Sequence, residues 1–115
     1  MTNSSSVREA NATTIARGFV IRTNFVGPTS HRGSRISARY ARDMETTYRV
    51  MIDWSHAVDA EQNHMRAAQA LLNKVNSERA DWYESIGESR ESAGKFEITG
   101  AGWDQDHYYF LASQP

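Results

Sequence analysis

The chain has 115 residues, 39% of them hydrophobic and 23% charged, which is enough for one small globular domain with its own core but not for two. It contains no cysteine, which excludes disulfide bonds and thiolate zinc sites and favours a reducing, cytoplasmic compartment. No apolar run is long enough to span a bilayer, and the polar N-terminus lacks the apolar segment of a secretory signal, so we expect neither secretion nor a membrane partner.

Positive and negative charges are segregated along the chain. Residues 17–49 contain seven arginines and two acids and carry +5, whereas residues 50–115 contain five cations and eleven acids and carry −6. Arg8 and Glu9 cancel, so the net charge is −1. Such polarisation favours a surface that binds an anionic partner.

The first 14 residues are rich in serine, threonine and asparagine and contain almost nothing to bury. We therefore predict a disordered N-terminal arm at 1–14 and a single folded domain at 15–115. The first strand is predicted at 18–26, where Phe19, Ile21 and Phe25 alternate with Arg22 and Asn24.

Two further strands are predicted at 34–42 and 46–53, joined by a loop at 43–45. Symmetric pairing about Met44 gives three apolar cross-strand pairs, Ile36 with Ile52, Ala38 with Val50 and Tyr40 with Tyr48. The same register places Arg39 opposite Arg49, which repel, and Arg35 opposite Asp53, which attract.

A helix is predicted to begin at Asp59, which forms a capping box with Gln62. Its apolar stripe contains Leu71, Leu72 and Val75, with His64 as a core residue on the same side. The stripe can continue to a stop at Gly87, as one helix or as two separated near 76–77, and we favour the break.

Two short strands, around 96–98 and at 108–112, are predicted on either side of a turn at 100–106. The resulting βββα-ββ order indicates an α+β fold, an antiparallel sheet with one main helix packed on one face. The open face would then carry Arg22, Arg35, Arg39 and Arg49 together.

These arginines are the strongest functional signal, because the planar guanidinium fork matches phosphate and carboxylate geometry. The alternative is an ordinary solvated face, in which Arg35 pairs with Asp53 and acids of the second half fold over the other arginines. Those acids include Glu84, Glu88 and Glu91.

The loop at 27–35 contains glycine, threonine, serine, histidine and arginine but is not a P-loop, because it lacks the Gly-Lys-Ser/Thr ending and leads into a strand. It is either a plain hairpin connection or a tip that contacts the partner through His31, Arg32 and Arg35. The aromatic residues mostly fill the core, and only Trp103, predicted in a turn, and Tyr109 remain as contact candidates.

No catalytic set is present in the sequence. The four histidines lack metal-ligand spacing, and His56 near Asp53 and Ser55 has no nucleophile elbow beside it. We therefore expect a protein that is not an enzyme and that has no catalytic residues, metal site or cofactor.

The run at 23–36, in which Gly27-Pro28-Thr29 leads through Arg32-Gly33-Ser34-Arg35 into a strand, resembles small, uncharacterised proteins of bacteriophages and other mobile elements. The likeness covers mainly residues 20–75 and includes the passage at 51–72. This chain departs from that pattern in its N-terminal arm and its acidic insert at 77–94. The resemblance carries no activity over, but it implies a phage or mobile-element setting, in which anti-CRISPR-like inhibition of a host defence complex is one analogy.

The expected function is therefore that of a phage-type accessory protein that binds an acidic protein surface or a nucleoprotein complex in the host cytoplasm. The predicted contact residues are Arg22, His31, Arg32, Arg35, Arg39 and Arg49. The alternative is direct, sequence-nonspecific binding of DNA or RNA, against which the sequence pI of about 6.4 counts. The two opposed charge patches also permit a homodimer.

Overall fold

A five-stranded antiparallel sheet carries one long helix on one of its faces. The computed structural model describes residues 17–114, so the predicted arm at 1–14 lies outside the described residues. The sheet has the strand order β3-β2-β1-β5-β4. The elements in chain order are β1 (Phe19–Val26), β2 (Arg35–Ala41), β3 (Thr47–Asp53), α1 (Ala60–Ser85), a 3₁₀ turn (Arg90–Ala93), β4 (Glu97–Trp103) and β5 (Tyr108–Ser113).

This arrangement confirms the predicted α+β class and the βββα-ββ order. The register of the β2–β3 hairpin is also as predicted, with Tyr40 opposite Tyr48 and Arg39 opposite Arg49. Asp43 closes the connecting loop, because its Oδ1 accepts the backbone N–H groups of Glu45 (2.9 Å) and Thr46 (2.8 Å). These hydrogen bonds lower the pKa of the Asp43 carboxyl, since they favour its charged form.

The core lies between the sheet and α1. Alternate residues of the three central strands point toward the helix, as the period of two requires. The central part of α1 contributes small and branched apolar side chains, among them Leu71, Leu72 and Val75, all buried as predicted. The fully buried apolar residues of the core are Ile21, Ile36, Ala38, Ala67, Ala68, Leu71, Leu72, Phe110 and Ala112.

Two sets of side-chain hydrogen bonds fix the start of α1, one made by Asp59 and one by Asn63. Asp59 and Gln62 form the predicted capping box. Asn63, which is fully buried, accepts the Ser55 backbone N–H (2.9 Å) through Oδ1 and donates to the Ser55 carbonyl (2.8 Å) through Nδ2. This pair of hydrogen bonds ties the helix to the chain leaving β3, so the helix direction is set at its first turn.

The predicted break near 76–77 is wrong, since α1 is continuous for 26 residues. No glycine or proline interrupts it, and Asn76 uses its side chain to pair with Phe96, accepting the N–H (2.9 Å) and donating to the carbonyl (3.0 Å). A helix of this length is about 39 Å long, whereas the strands span about 20–27 Å. Near the end of the helix, Trp82 borders a groove with Phe19, Tyr40 and Tyr48 and is 58% exposed. Gly87, with φ of 88°, ends the helical segment as predicted.

The C-terminal hairpin differs from the prediction at Gly100–Gly102. These residues belong to β4, with a register irregularity between Ile98 and Gly100, and the turn comes after Trp103. Asp104 Oδ1 accepts the N–H groups of Asp106 (2.9 Å) and His107 (2.8 Å), and the Asp104 N–H donates to the His107 carbonyl (3.1 Å), so Asp104 closes that turn. Because an aspartate supplies the turn, the glycines are not needed for it.

Candidate functional site: the arginine face of the sheet

The face of the sheet opposite α1 carries the predicted cluster of arginines. We call Arg22, Arg35, Arg39 and Arg49 together the arginine face. Register places Arg49 opposite Arg39 and Arg39 opposite Arg22, so three of the four form one row across three adjacent strands. Since neighbouring strands lie about 4.8 Å apart, the row is about 10 Å long.

The backbone hydrogen-bond pattern between β2 and β3 brings the side chains of Arg39 and Arg49 close together. The N–H groups of Trp54 and Arg42 donate to the carbonyls of Ser34 (3.1 Å) and Thr46 (2.9 Å), which makes the even-numbered pairs of β2 and β3 the hydrogen-bonded ones. Arg39 and Arg49 are therefore a non-hydrogen-bonded pair, the type in which opposite side chains are closer together. Like charges in that position destabilise a sheet.

The neutralising contacts of the alternative interpretation are not found in the described part of the chain. The only ion pairs among residues 17–114 join Arg90 to Asp81 and Glu84, and His107 to Asp104. Arg35 lies opposite Asp53 in the register but forms no ion pair with it, and Glu84, at the end of α1, pairs away from the face. The alternative interpretation, in which acids of the second half cover the arginines, therefore finds no ion pair to support it among residues 17–114.

Several polar atoms of this face lack partners among residues 17–114. The Nε atoms of Arg22 and Arg35 and the Oδ1 of Asn24 are shielded from solvent and make no hydrogen bond. Ser37 is buried although it points to the open face, because the long side chains around it cover it. Shielded polar atoms without partners carry a free-energy cost in the isolated domain.

Apolar side chains share the open face with the arginines. Val20, in β1, is 52% exposed, and Met51, opposite Ser37, is also exposed. Leu111 is half-buried beside Val20. The surface therefore offers both charge and apolar contact area, a mixture found in macromolecular interfaces.

Tyr109 extends the arginine row. It lies opposite Arg22 on one side and Gly102 on the other. Its hydroxyl donates to Asp104 Oδ2 (2.9 Å), and this hydrogen bond raises the pKa of the Tyr109 phenol. The pKa of the Asp104 carboxyl is lowered, mainly by the backbone hydrogen bonds of the turn and to a smaller extent by the bond from Tyr109. The alternation of β5, with Tyr108 and Phe110 facing the core, was the signal that pointed to Tyr109, but its place beside Arg22 depends on strand order.

The remaining predicted contact residues lie at one end of this face. His31 and Arg32 are exposed in the β1–β2 loop, where Thr29 Oγ1 accepts their backbone N–H groups (3.3 and 3.1 Å). Arg35 begins β2 directly after this loop. Trp103 is not in a turn but ends β4, 72% exposed, and its side chain lies toward Tyr108 on the helix side. It therefore does not belong to the arginine face.

His64 lies on the opposite side of the sheet, in the core. Its Nδ1 is 2.6 Å from Thr23 Oγ1, and its ring packs against those of Tyr108 and Trp54. Burial lowers the pKa of the imidazole. Within residues 17–114 no group of three metal-ligating side chains is found. None of the helices described there is long and apolar enough to cross a membrane.

Comparison with protein-family models, with curated proteins and with solved structures finds no match to the chain. Fold and surface together define an α+β domain with an exposed cationic sheet face.

Proposed function

We propose that this protein acts by binding, and that its arginine face engages a nucleoprotein complex or an acidic protein. The resemblance to phage and mobile-element proteins supports an accessory role, with inhibition of a host defence complex as the specific form. His31 and Arg32 extend the contact from the loop at the end of β1.

The observation that carries this proposal is the row of Arg22, Arg39 and Arg49 without an acidic partner among the described residues. Three guanidinium groups at adjacent positions repel each other, which lowers the stability of the sheet. An anionic partner relieves that repulsion. Each guanidinium can form two parallel hydrogen bonds with a phosphate or a carboxylate. The exposed Val20 and Met51 add apolar contact area on the same surface.

Direct, sequence-nonspecific binding of naked nucleic acid is the second candidate, and the position of the acids of α1 favours it. Glu78, Asp81 and Glu84 lie on α1, behind the sheet. Packed layers lie about 10 Å apart, and exposed charges farther apart than about 8 Å are largely screened at physiological salt. A strand lying on the arginine face would therefore meet little repulsion from the helix.

The test is affinity capture of binding partners from a lysate of the cells in which the protein is encoded. The tagged baits are the wild type, Arg39→Ala and Arg49→Ala, each used with and without nuclease. Arg42→Ala is the matched control, because Arg42 is exposed, makes no ion pair among residues 17–114 and borders the groove beside Tyr40 and Tyr48 on the helix side. We expect one defined assembly that both row variants lose and the control retains. Equal capture by all four proteins would overturn the proposal.

Nuclease separates the two candidates. An assembly that survives nuclease and shows strong dependence on only some of the arginines indicates a protein contact. If instead purified protein binds naked DNA or RNA tightly at physiological salt, with an affinity that falls steeply as salt rises, the second candidate is correct.

A further inference from the structure

We propose that the arginine face binds a single-stranded nucleic acid, with phosphates on the arginine row and one base stacked beside Tyr109 above the bare backbone of Gly102. This inference rests on the proposed function, because it specifies which part of a nucleoprotein partner the face contacts. It adds a ligand class and Gly102, which the sequence did not assign to the site, and it gives a role to Tyr109, which the sequence left as a contact candidate.

The arginine row is followed on the next two strands by an aromatic residue and then by a glycine. Starting at the β3 edge, register gives Arg49, Arg39, Arg22, Tyr109 and Gly102 on five successive strands. A Cβ added at Gly102 would meet no atom within 4 Å. Because no side chain stands on or over that position, the space next to Tyr109 is an unoccupied strip of the sheet surface.

The Tyr109 ring is held in place before any ligand arrives. Its hydroxyl donates to Asp104, whose other oxygen is fixed by the N–H groups of Asp106 and His107. The His107 ring lies 6.1 Å from the Tyr109 ring, centroid to centroid. Binding therefore costs little additional loss of side-chain freedom at this tyrosine, which is how a preorganised contact gains affinity.

The neighbouring arginines fit the backbone of the same strand. Arg22 is beside Tyr109, and Arg39 and Arg49 follow in steps of about 4.8 Å. Proteins bind single-stranded nucleic acids with positively charged groups, which contact the phosphates, and with aromatic rings on the same surface, on which the bases stack.

A single strand fits this arrangement better than a duplex or an acidic peptide. In a duplex the bases are stacked on each other, so no base is free to stack on the Tyr109 ring. An acidic peptide would use the arginines but would not need an aromatic ring next to a glycine. The aromatic position therefore discriminates among the three ligands.

The experiment measures binding of labelled oligothymidylate and oligouridylate of about 12 nucleotides, within the usual range of single-strand sites, and of a duplex of equal length. The proteins are the full chain, Tyr109→Leu, Tyr109→Phe, Gly102→Val and the Arg42→Ala control. Leucine keeps an apolar residue but removes the ring, and valine fills the open strip with a residue that favours strands. Thermal unfolding of each variant verifies that it is folded.

We expect Tyr109→Leu to weaken single-strand binding about 5- to 150-fold, as loss of one stacked base predicts, and Gly102→Val to weaken it as well. Tyr109→Phe keeps the ring and should lose much less, while duplex binding should be equal for all folded variants. Single-strand binding should fall with salt with a slope of about −2 in log K against log salt, as three phosphate contacts predict. Arg39→Ala should reduce that slope.

The inference fails if folded Tyr109→Leu and Gly102→Val bind the single strands as tightly as wild type. It also fails if wild type binds none of the oligonucleotides yet still loses its cellular assembly on Arg39→Ala, a result that leaves the proposed function standing with an acidic protein as partner. Retention of that assembly by the arginine variants would instead reject the proposed function itself.

Discussion

The two faces of the same sheet have opposite chemistry, although they are built from the same five strands. In β2, Ile36 and Ala38 point to the helix and are fully buried, whereas Arg35 and Arg39 point away from it. On the helix-covered face the buried His64 and Asn63 both have hydrogen-bond partners. The arginine face has unpaired cations and shielded polar atoms without partners among residues 17–114. One face therefore stabilises the domain, and the other is available for binding at some cost in stability.

The largest effect should come from the helix-covered face. Leu71→Ala should lower the free energy of unfolding by about 2 to 5 kcal/mol, because it leaves a cavity in a fully buried site. Urea denaturation measures it, with Met65→Ala on the exposed side of α1 as control. An unchanged midpoint for Leu71→Ala would show that the helix does not bury this face.

Removing the asparagine contact at the helix start should cost somewhat less. Asn63→Ala leaves the Ser55 N–H and carbonyl without their partner in a buried site, which costs about 1 to 3 kcal/mol. Asn73→Ala is the matched control, since Asn73 is exposed on the same helix and only accepts a hydrogen bond from Gln69. If the two variants unfold alike, Asn63 does not anchor α1.

The buried His64 should make stability depend on pH. Its pKa is lowered in the folded state by burial, so below the ordinary value of about 6.5 the unfolded chain binds a proton that the folded protein does not. Stability should therefore fall as pH falls from about 6.5, by at most about 1.4 kcal/mol per pH unit for one proton. Urea midpoints of wild type and His64→Gln between pH 7.5 and pH 5, roughly the range in which histidine titrates, provide the measurement. His64→Gln should flatten the curve, and an equally steep curve would assign the dependence to another group.

The smallest effect has the opposite sign. Arg39→Thr should raise the free energy of unfolding by about 0.2 to 1 kcal/mol, because it removes one member of a like-charge cross-strand pair and introduces a residue that favours strands. Arg42→Thr, outside the row, should change stability less. A loss of stability in Arg39→Thr would mean that the row is not under repulsion and would weaken the contrast between the two faces.

Local patterns in the chain were sufficient for the elements themselves. The alternation in β1, β2 and β3, the apolar pairs about Met44 and the Asp59–Gln62 capping box all depend on neighbours in sequence, and the structure contains them as predicted. Three errors concern residues whose partners are distant or turn-specific: Asn76, engaged by Phe96, Gly100–Gly102, which lie in β4, and Trp103, which ends that strand. The Asn76–Phe96 contact joins residues distant in sequence and has no local pattern, whereas the turn at Asp104 is local and the glycines drew the prediction away from it.

The sequence alone determined that one side of the β2–β3 hairpin is apolar and the other carries arginine, because side chains alternate along a strand. Only the tertiary structure decided that β1 lies between β2 and β5, since pairing of strands far apart in the chain depends on how the whole core packs. That order places Arg22 beside Arg39 on one side and beside Tyr109 on the other. The helix packs on the apolar side, as the alternation predicted, and the arginine row has no acidic partner among residues 17–114.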